Sequence, residues 1–430
     1  MARLTRAESR ELNRARILTA ACEEFTERGF REAKVDEIAE RAGLTRGAVY
    51  SNFPGKRALY FAVLADLVSR VPEPPSPPPG GTVREALGTF ARVWLSPPLP
   101  AGDRWPDTPL GAAQFGTDPL GTAPTGAGSL GASPLGMDPL GAAQIGAGSL
   151  GVGPTGTDSP GAAPLRMNSL GTDPLGADLM PQILAEESTR RSFAQLAEVE
   201  AILLGLGLEG VRGPVTPGWR LVRLAGIVLT ALRGASQMAD LAPGLVETYD
   251  MVSACEKLAD LDLNDGWSPP AAYPAVRPAD MPWAPPPALE AMLGTSVDLG
   301  ADGVVVLLGL HRLATLEDVV RAAAPGTAVT AVVVTGDPDE LDPLVRLTLR
   351  GLGNRMRHVV PPSAWPGVRI VCDAAGLVAG AAGLSRADDT TESAVRVVAG
   401  RIVARADGAG AGHALAAADG EALVRAARRG

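Results

Sequence analysis

Aromatic residues are scarce in this 430-residue chain: Tyr 4, Phe 7 and Trp 6 make up 4%. Cysteine and histidine are scarcer, at three each. Cys22, Cys255 and Cys372 are far apart, odd in number and without a CxxC pair. That excludes a disulfide framework and the usual zinc spacings, and it fits a reducing compartment. His311, His358 and His413 form no HExxH pair. No apolar run is long enough for a bilayer: the strongest, 221–232 and 303–310, are short, and the first contains Arg223. The start, residues 1–10, is polar and charged, unlike a signal peptide. The expectation is a cytoplasmic protein with no membrane partner, no cofactor and no metal.

Glycine and proline, by contrast, are abundant. Gly 51 and Pro 38 amount to about a fifth of the chain, against a usual share of about 12%. Much of the excess falls in residues 109–178, a low-complexity stretch with a five-residue period of Pro/Ser-Leu-Gly-x-x. A right-handed pentapeptide β-helix shares that period but wants a small residue two places before the Leu, where Asp often stands here. Its frequent prolines also remove backbone donors. A disordered insert rich in turns and extended backbone is the expectation, taken over 99–180.

Around this insert the periodicity changes character. Residues 4–70 read as helices: a long one up to Gly29, a short one over 35–42, a turn at Gly43-Leu44, a helix from Thr45 to about Phe53, and one over 56–69. A helix over 83–95 follows. Helices are expected again over 183–204, 219–239 and 245–261, the second apolar nearly all round and so buried or at an interface. A Pro-rich linker is expected over 266–298. Strand and helix then alternate: strands over 304–308, 329–335 and 368–372, helices over 316–323, 338–349 and 377–382, a hairpin of 394–398 with 401–406, and a closing helix over 414–428. That pattern implies an α/β domain.

The formal net charge is −9, so the surface as a whole does not suit coating nucleic acid. Yet residues 1–60 hold about 12 Lys/Arg against about 9 Asp/Glu, which leaves about −12 for the rest. The one basic segment has the layout of a helix-turn-helix. Thr45 can cap the second helix. Arg46 can offer paired donors to guanine or phosphate. Gly47 allows close backbone approach, and Tyr50 and Lys56 can donate to phosphates. Ile17, Phe25, Ile38, Val49, Phe53 and Leu59 are expected in the core.

The stretch RILTAACEEFTERGFREAKVDEIAERAGLTRGAVYSNFPGKRALYFAVL, residues 16–64, resembles the DNA-binding domain of the TetR family of bacterial transcription regulators. Gly29-Phe30, Ile38-Ala39, Ala42-Gly43, Tyr50, Phe53 and Lys56 carry the resemblance. It implies a ligand-responsive repressor that binds a palindromic double-stranded DNA operator as a homodimer. Its C-terminal helices would form the dimer bundle and the pocket for a small-molecule effector. Carried over by position, the DNA contacts are Thr45, Arg46, Gly47, Tyr50 and Lys56. Lys34 stands where the family usually has a Ser or Thr cap, and is read as a further phosphate donor. Asn52 stands where many members have His.

The C-terminal order of elements is similar to thioredoxin-like domains, through VRIVCDAAGLVAGAAGL and the hairpin AVRVVAGRIVARADG. Redox members of that family would need a thiol after the first strand, where this chain has Leu310-His311-Arg312-Leu313, and usually a Pro before the hairpin, where it has Thr391-Glu392-Ser393. The domain is therefore expected to be redox-inactive, with Cys372 an inert core thiol. Gly205-Leu206-Gly207-Leu208-Glu209-Gly210 spells GxGxxG but follows a helix, which excludes a dinucleotide turn. His311 is read as a ligand contact or a capping residue, and Asp337 and Asp339 as a helix-start pair.

The expected fold class is multidomain. A helix-turn-helix domain spans 1–70. An all-α ligand and dimerisation body spans 81–98 and 181–265, interrupted by the insert. The linker then leads to an α/β thioredoxin-like domain over 299–430. The expected function is a DNA-binding regulator without catalytic residues. The alternative is a thioredoxin-like oxidoreductase with an accessory helical domain.

Overall fold

A computed structural model of the chain describes residues 5–77, 81–95, 175–213 apart from 177, and 220–423 apart from 421. These belong to one contact unit, made of Met1–Pro98 and Leu165–Gly430. Nearly all of the Pro/Ser-Leu-Gly repeat, and Trp219, lie outside the described residues.

Four helices open the chain. Helix α1 (Arg6–Glu32) begins with a reciprocal cap: the Thr5 hydroxyl accepts from the Glu8 N–H, and the Glu8 carboxylate accepts from the Thr5 N–H. It is kinked at Gly29, whose φ is 69°. Helices α2 (Val35–Arg41) and α3 (Arg46–Tyr50) are joined through Gly43. There φ is +63°, a left-handed conformation that strains any other residue, whereas the Arg16 guanidinium nitrogen 2.8 Å from where a Cβ would stand is the end of a flexible side chain that can move away. Helix α3 ends at Tyr50, three residues before the expected end. Helix α4 (Lys56–Ser69) matches its expected span. All six residues expected in the core are at most 2% exposed.

The helical body comprises α5 (Val83–Leu95), α6 (Leu179–Leu184), α7 (Glu187–Arg212), α8 (Val222–Leu241) and α9 (Thr248–Leu258). The single helix expected over 183–204 is two, broken at Ala185-Glu186, and the second continues through the GxGxxG stretch. These glycines persist in a helix because neighbouring backbone is close. A Cβ on Gly205 would lie 2.6 Å from the Val222 Cα, and one on Gly210 would lie 2.4 Å from the Ala364 oxygen. The motif is a packing stripe.

The segment 266–298, expected to be a linker, contributes strands β1 (Arg277–Pro282), β2 (Ala288–Leu289) and β3 (Ser296–Val297). Proline is compatible with β1 because it is an edge strand, bonded only to the far strand of the hairpin and irregular between Pro278 and Met281. Trp283, 6% exposed, anchors it by donating its indole N–H to the Leu299 carbonyl at 2.6 Å.

Then follow β4 (Gly303–Gly309), α10 (Leu316–Ala322), β5 (Val329–Val334), α11 (Pro338–Met356), β6 (Val368–Cys372), α12 (Leu377–Ala381), β7 (Glu392–Val398), β8 (Arg401–Asp407) and α13 (Ala411–Ala417). Helix α11 runs seven residues beyond its expected end, and α13 starts earlier than expected. The sheet order is β1-β8-β7-β4-β5-β6. Strands β4, β5 and β6 are parallel, and β7 runs antiparallel to β4. Strands β4 and β5 are buried at every position, as continuous apolar runs between two covered faces should be. Ala399 and Gly400, at φ 48° and 71°, close the β7–β8 hairpin with the left-handed pair that a two-residue turn requires.

Candidate nucleic-acid interface

The packing of α1 to α3 leaves one short helix with its polar side outward. Only Val49 of α3 is buried. The Thr45 hydroxyl caps it, accepting from the Ala48 N–H at 3.2 Å. Arg46, Gly47 and Tyr50 are exposed. Arg46 lies 5.5 Å from the centre of the Tyr50 ring and pairs with Asp36 of α2 at 3.1 Å. Both members of that pair are well over half exposed, so the pair is weak and readily exchanged for another anion. A Cβ on Gly47 would meet nothing nearer than the Thr45 hydroxyl at 3.9 Å, so no neighbour within the chain requires glycine there.

Thr45, Arg46, Gly47 and Tyr50 are thus brought together. Lys34 and Lys56 stand apart from them. Lys34 is exposed at the cap of α2, makes no side-chain cap bond, and donates its backbone N–H to Glu24 at 3.3 Å. Lys56, the first residue of α4, donates its ammonium to the Arg31 carbonyl at 3.1 Å and rests 4.7 Å from the centre of the Phe30 ring. Partial burial lowers its pKa.

Residues that hold this surface escaped the sequence reading. Glu24 is fully buried although its side chain is polar. Its carboxylate takes the Arg41 guanidinium at 3.2 Å and Arg28 at 3.3 Å as well as the Lys34 N–H, which fixes α1 against α2. Its signal in the sequence was a glutamate among the inward positions Ile17, Ala20, Ala21 and Phe25. Arg14 lies 4.4 Å from the centre of the Phe53 ring and donates to the Asn52 carbonyl at 3.4 Å, which secures the segment after α3.

Elsewhere, burial raises the pKa of all three thiols, Cys255 to about 11. His311 donates its backbone N–H to the Asp389 carbonyl at 2.8 Å. Gly309 packs so closely under the same loop that a Cβ would lie 2.4 Å from the carbonyl oxygens of Asp388 and Asp389. The chain's own backbone therefore covers the carboxyl end of β4, where α/β sheets commonly bind ligands. Among the described residues no cluster of His, Cys, Asp or Glu could hold a metal ion, and no helix is long and apolar enough to cross a membrane.

Comparison with known proteins converges on the same segment. The family described as "Bacterial regulatory proteins, tetR family" matches residues 17–63. The "Uncharacterized HTH-type transcriptional regulator TtgW" of Pseudomonas putida is 52% identical over 65 residues, which is 15% of this chain and 48% of that protein. The "HTH-type transcriptional regulator SrpR" of Pseudomonas putida is also 52% identical over 65 residues, 15% of this chain and 30% of its own. The "HTH-type transcriptional activator FasR" of Mycolicibacterium smegmatis is 46% identical over 55 residues, 13% of this chain and 25% of its own. The chain thus matches less than half the length of each of these relatives. Residues 17–63, which lie within α1 to α4, thus match the helix-turn-helix domain of the tetR family of bacterial regulatory proteins.

Proposed function

We propose that the chain is a cytoplasmic, ligand-responsive transcriptional repressor that binds a palindromic operator as a homodimer. The observation that carries this is α3: four residues able to contact DNA, Thr45, Arg46, Gly47 and Tyr50, on one short outward helix. Arg46 would exchange Asp36 for a base edge or phosphate. Tyr50 would donate to the backbone, and Lys34 and Lys56 would flank it at the starts of α2 and α4.

Two observations support the remaining parts. Ile227, Met238, Leu241, Leu245 and Tyr249 are exposed apolar residues on α8, α9 and the turn between them, as a dimer face requires. A cavity of about 160 Å³ lies between the end of α7, the start of α8 and residues 259–266, with Arg212, Arg220, Asp262 and Asp265 in its wall. It suits a small polar effector, being below the roughly 300 Å³ of a drug-sized site. The α/β layer is read as a redox-inactive thioredoxin-like domain. The oxidoreductase alternative needs a thiolate, and burial works against one at each of the three cysteines.

The test is a gel shift of the full chain on a duplex spanning the region upstream of its own gene. Specific binding is expected, and Arg46→Ala should weaken it by more than about tenfold, as loss of a bidentate base contact does. Failure to bind any genomic fragment at low salt would overturn the proposal. A reporter driven by the bound fragment separates repression from activation.

A further inference from the structure

Helix α4 is the joint between the reading head and the rest of the chain, and α11 grips it at both ends. Seven consecutive residues, Ala58–Leu64, are at most 5% exposed. In a head that packed only on α1, one side of α4 would face water. Here α11 covers that side. At the start of the seam, Arg57 pairs with Glu340 in the first turn of α11, and with Glu186 at the cap of α7 at 2.6 Å. At the far end, the buried Asn354 amide donates to the Val68 carbonyl at 3.0 Å, and just beyond it Arg357 pairs with Glu73 at 2.7 Å. Both helices advance in the same direction along the seam.

The residue after Asn354 faces the helical body. Arg355, 6% exposed, lies 4.2 Å from the centre of the Trp94 ring on α5. It also feels the charge of Glu200 on α7, which is 2% exposed and paired with Arg233 of α8. Two adjacent residues on one turn of α11 therefore hold the reading head and the helical body.

We propose that α11 is the lever that sets the angle of the reading head, so that Arg57, Glu340 and Asn354 are positioning residues for DNA binding although none of them lies on α3. The physical basis is that a close-packed seam cannot deform smoothly. A shift of α11 against the sheet must carry α4, and with it Lys56 and the core beneath α3. The inference rests on the DNA-binding reading above.

The experiment measures binding of the full-length chain to the same upstream duplex by fluorescence anisotropy, at two salt concentrations, with thermal midpoints recorded in parallel. Glu340→Arg is expected to weaken binding about tenfold. It should also flatten the salt dependence, because fewer phosphates are reached. The swapped pair Arg57→Glu/Glu340→Arg, made together with Glu186→Gln so that no second carboxylate faces position 57, should bring affinity back to within about threefold of the parent. Glu340→Gln, milder for folding, should lose about threefold and carries the test if the reversal fails to fold. Parental affinity and salt slope in folded Glu340→Arg and Glu340→Gln, whatever happens to the midpoint, would show that the seam is packing alone and overturn the proposal. So would a swap that restores the midpoint but not the affinity. A parent chain that binds no duplex would instead remove the DNA-binding reading, and the lever with it.

Discussion

Helices α3 and α4 are separated by five residues and live in opposite environments. In α3 only Val49 is buried, and Arg46, Gly47 and Tyr50 face water. In α4 eight of fourteen residues are buried, over both sides of the helix. The difference separates what each helix can be changed for. Apart from Val49, the composition of α3 is free of the core, so its residue types answer to whatever it touches outside the chain. The composition of α4 answers to α1 on one side and, on the other, to a helix about 280 residues later.

The largest effect that tests this contrast is in the core of α4. Phe61 is fully buried, and Phe61→Ala should destabilise the chain by about 3–5 kcal/mol, from lost transfer energy and the cavity left behind. Tyr50→Ala, at an exposed position, should stay within about 0.5 kcal/mol of the parent in stability while weakening DNA binding. Urea unfolding of both variants checks the pair. A Phe61→Ala loss of under about 1 kcal/mol would mean that α4 is not held between two layers.

A smaller effect sharpens the contrast at one backbone position. Because a Cβ at Gly47 has room within the chain, Gly47→Ala should raise stability by up to about 1 kcal/mol through helix propensity. The same methyl would stand between the helix and the DNA. Thermal denaturation should therefore move up as anisotropy binding moves down. If both move down, glycine is there for a reason internal to the fold.

These two helices also show what was legible in the sequence. The elements of the head, its core and its outward residues could be read because their partners lie within about 50 residues and follow helical spacing. The strands β4, β5 and β6 were legible as apolar runs. The seven-residue burial of α4 was not, because its covering comes from Pro338–Met356 and no local period encodes that. Strand β1 was hidden by Pro278 and Pro282, which look like linker until the strand is known to be an edge. The glycines of α7 could be told from a dinucleotide turn, but their place inside a helix was not legible, since the backbones that crowd them, at Val222 and Ala364, are distant in sequence. The buried Glu200 and Arg355 carried no local signal, because the groups they meet lie on other helices.

The smallest expected effect separates the lever from the head by pH. His358 stands just past the end of α11, half-buried, and burial lowers its pKa from 6.5. Folding therefore favours the neutral ring. As pH falls through 6.5 the unfolded chain takes up a proton that the folded chain still refuses, so stability contributed at higher pH is lost, until the folded ring also titrates. The head contains no histidine, so this contribution belongs to the lever side of the seam. His358→Gln should remove it. The observable is the difference in urea midpoint between about pH 7.5 and about pH 5.5, compared between parent and variant so that the carboxylates cancel. The parent should lose more than the variant over that interval. An equal loss in both would mean that His358 is solvated in the folded chain, and that the end of α11 is more open than its packing against α4 and α7 describes.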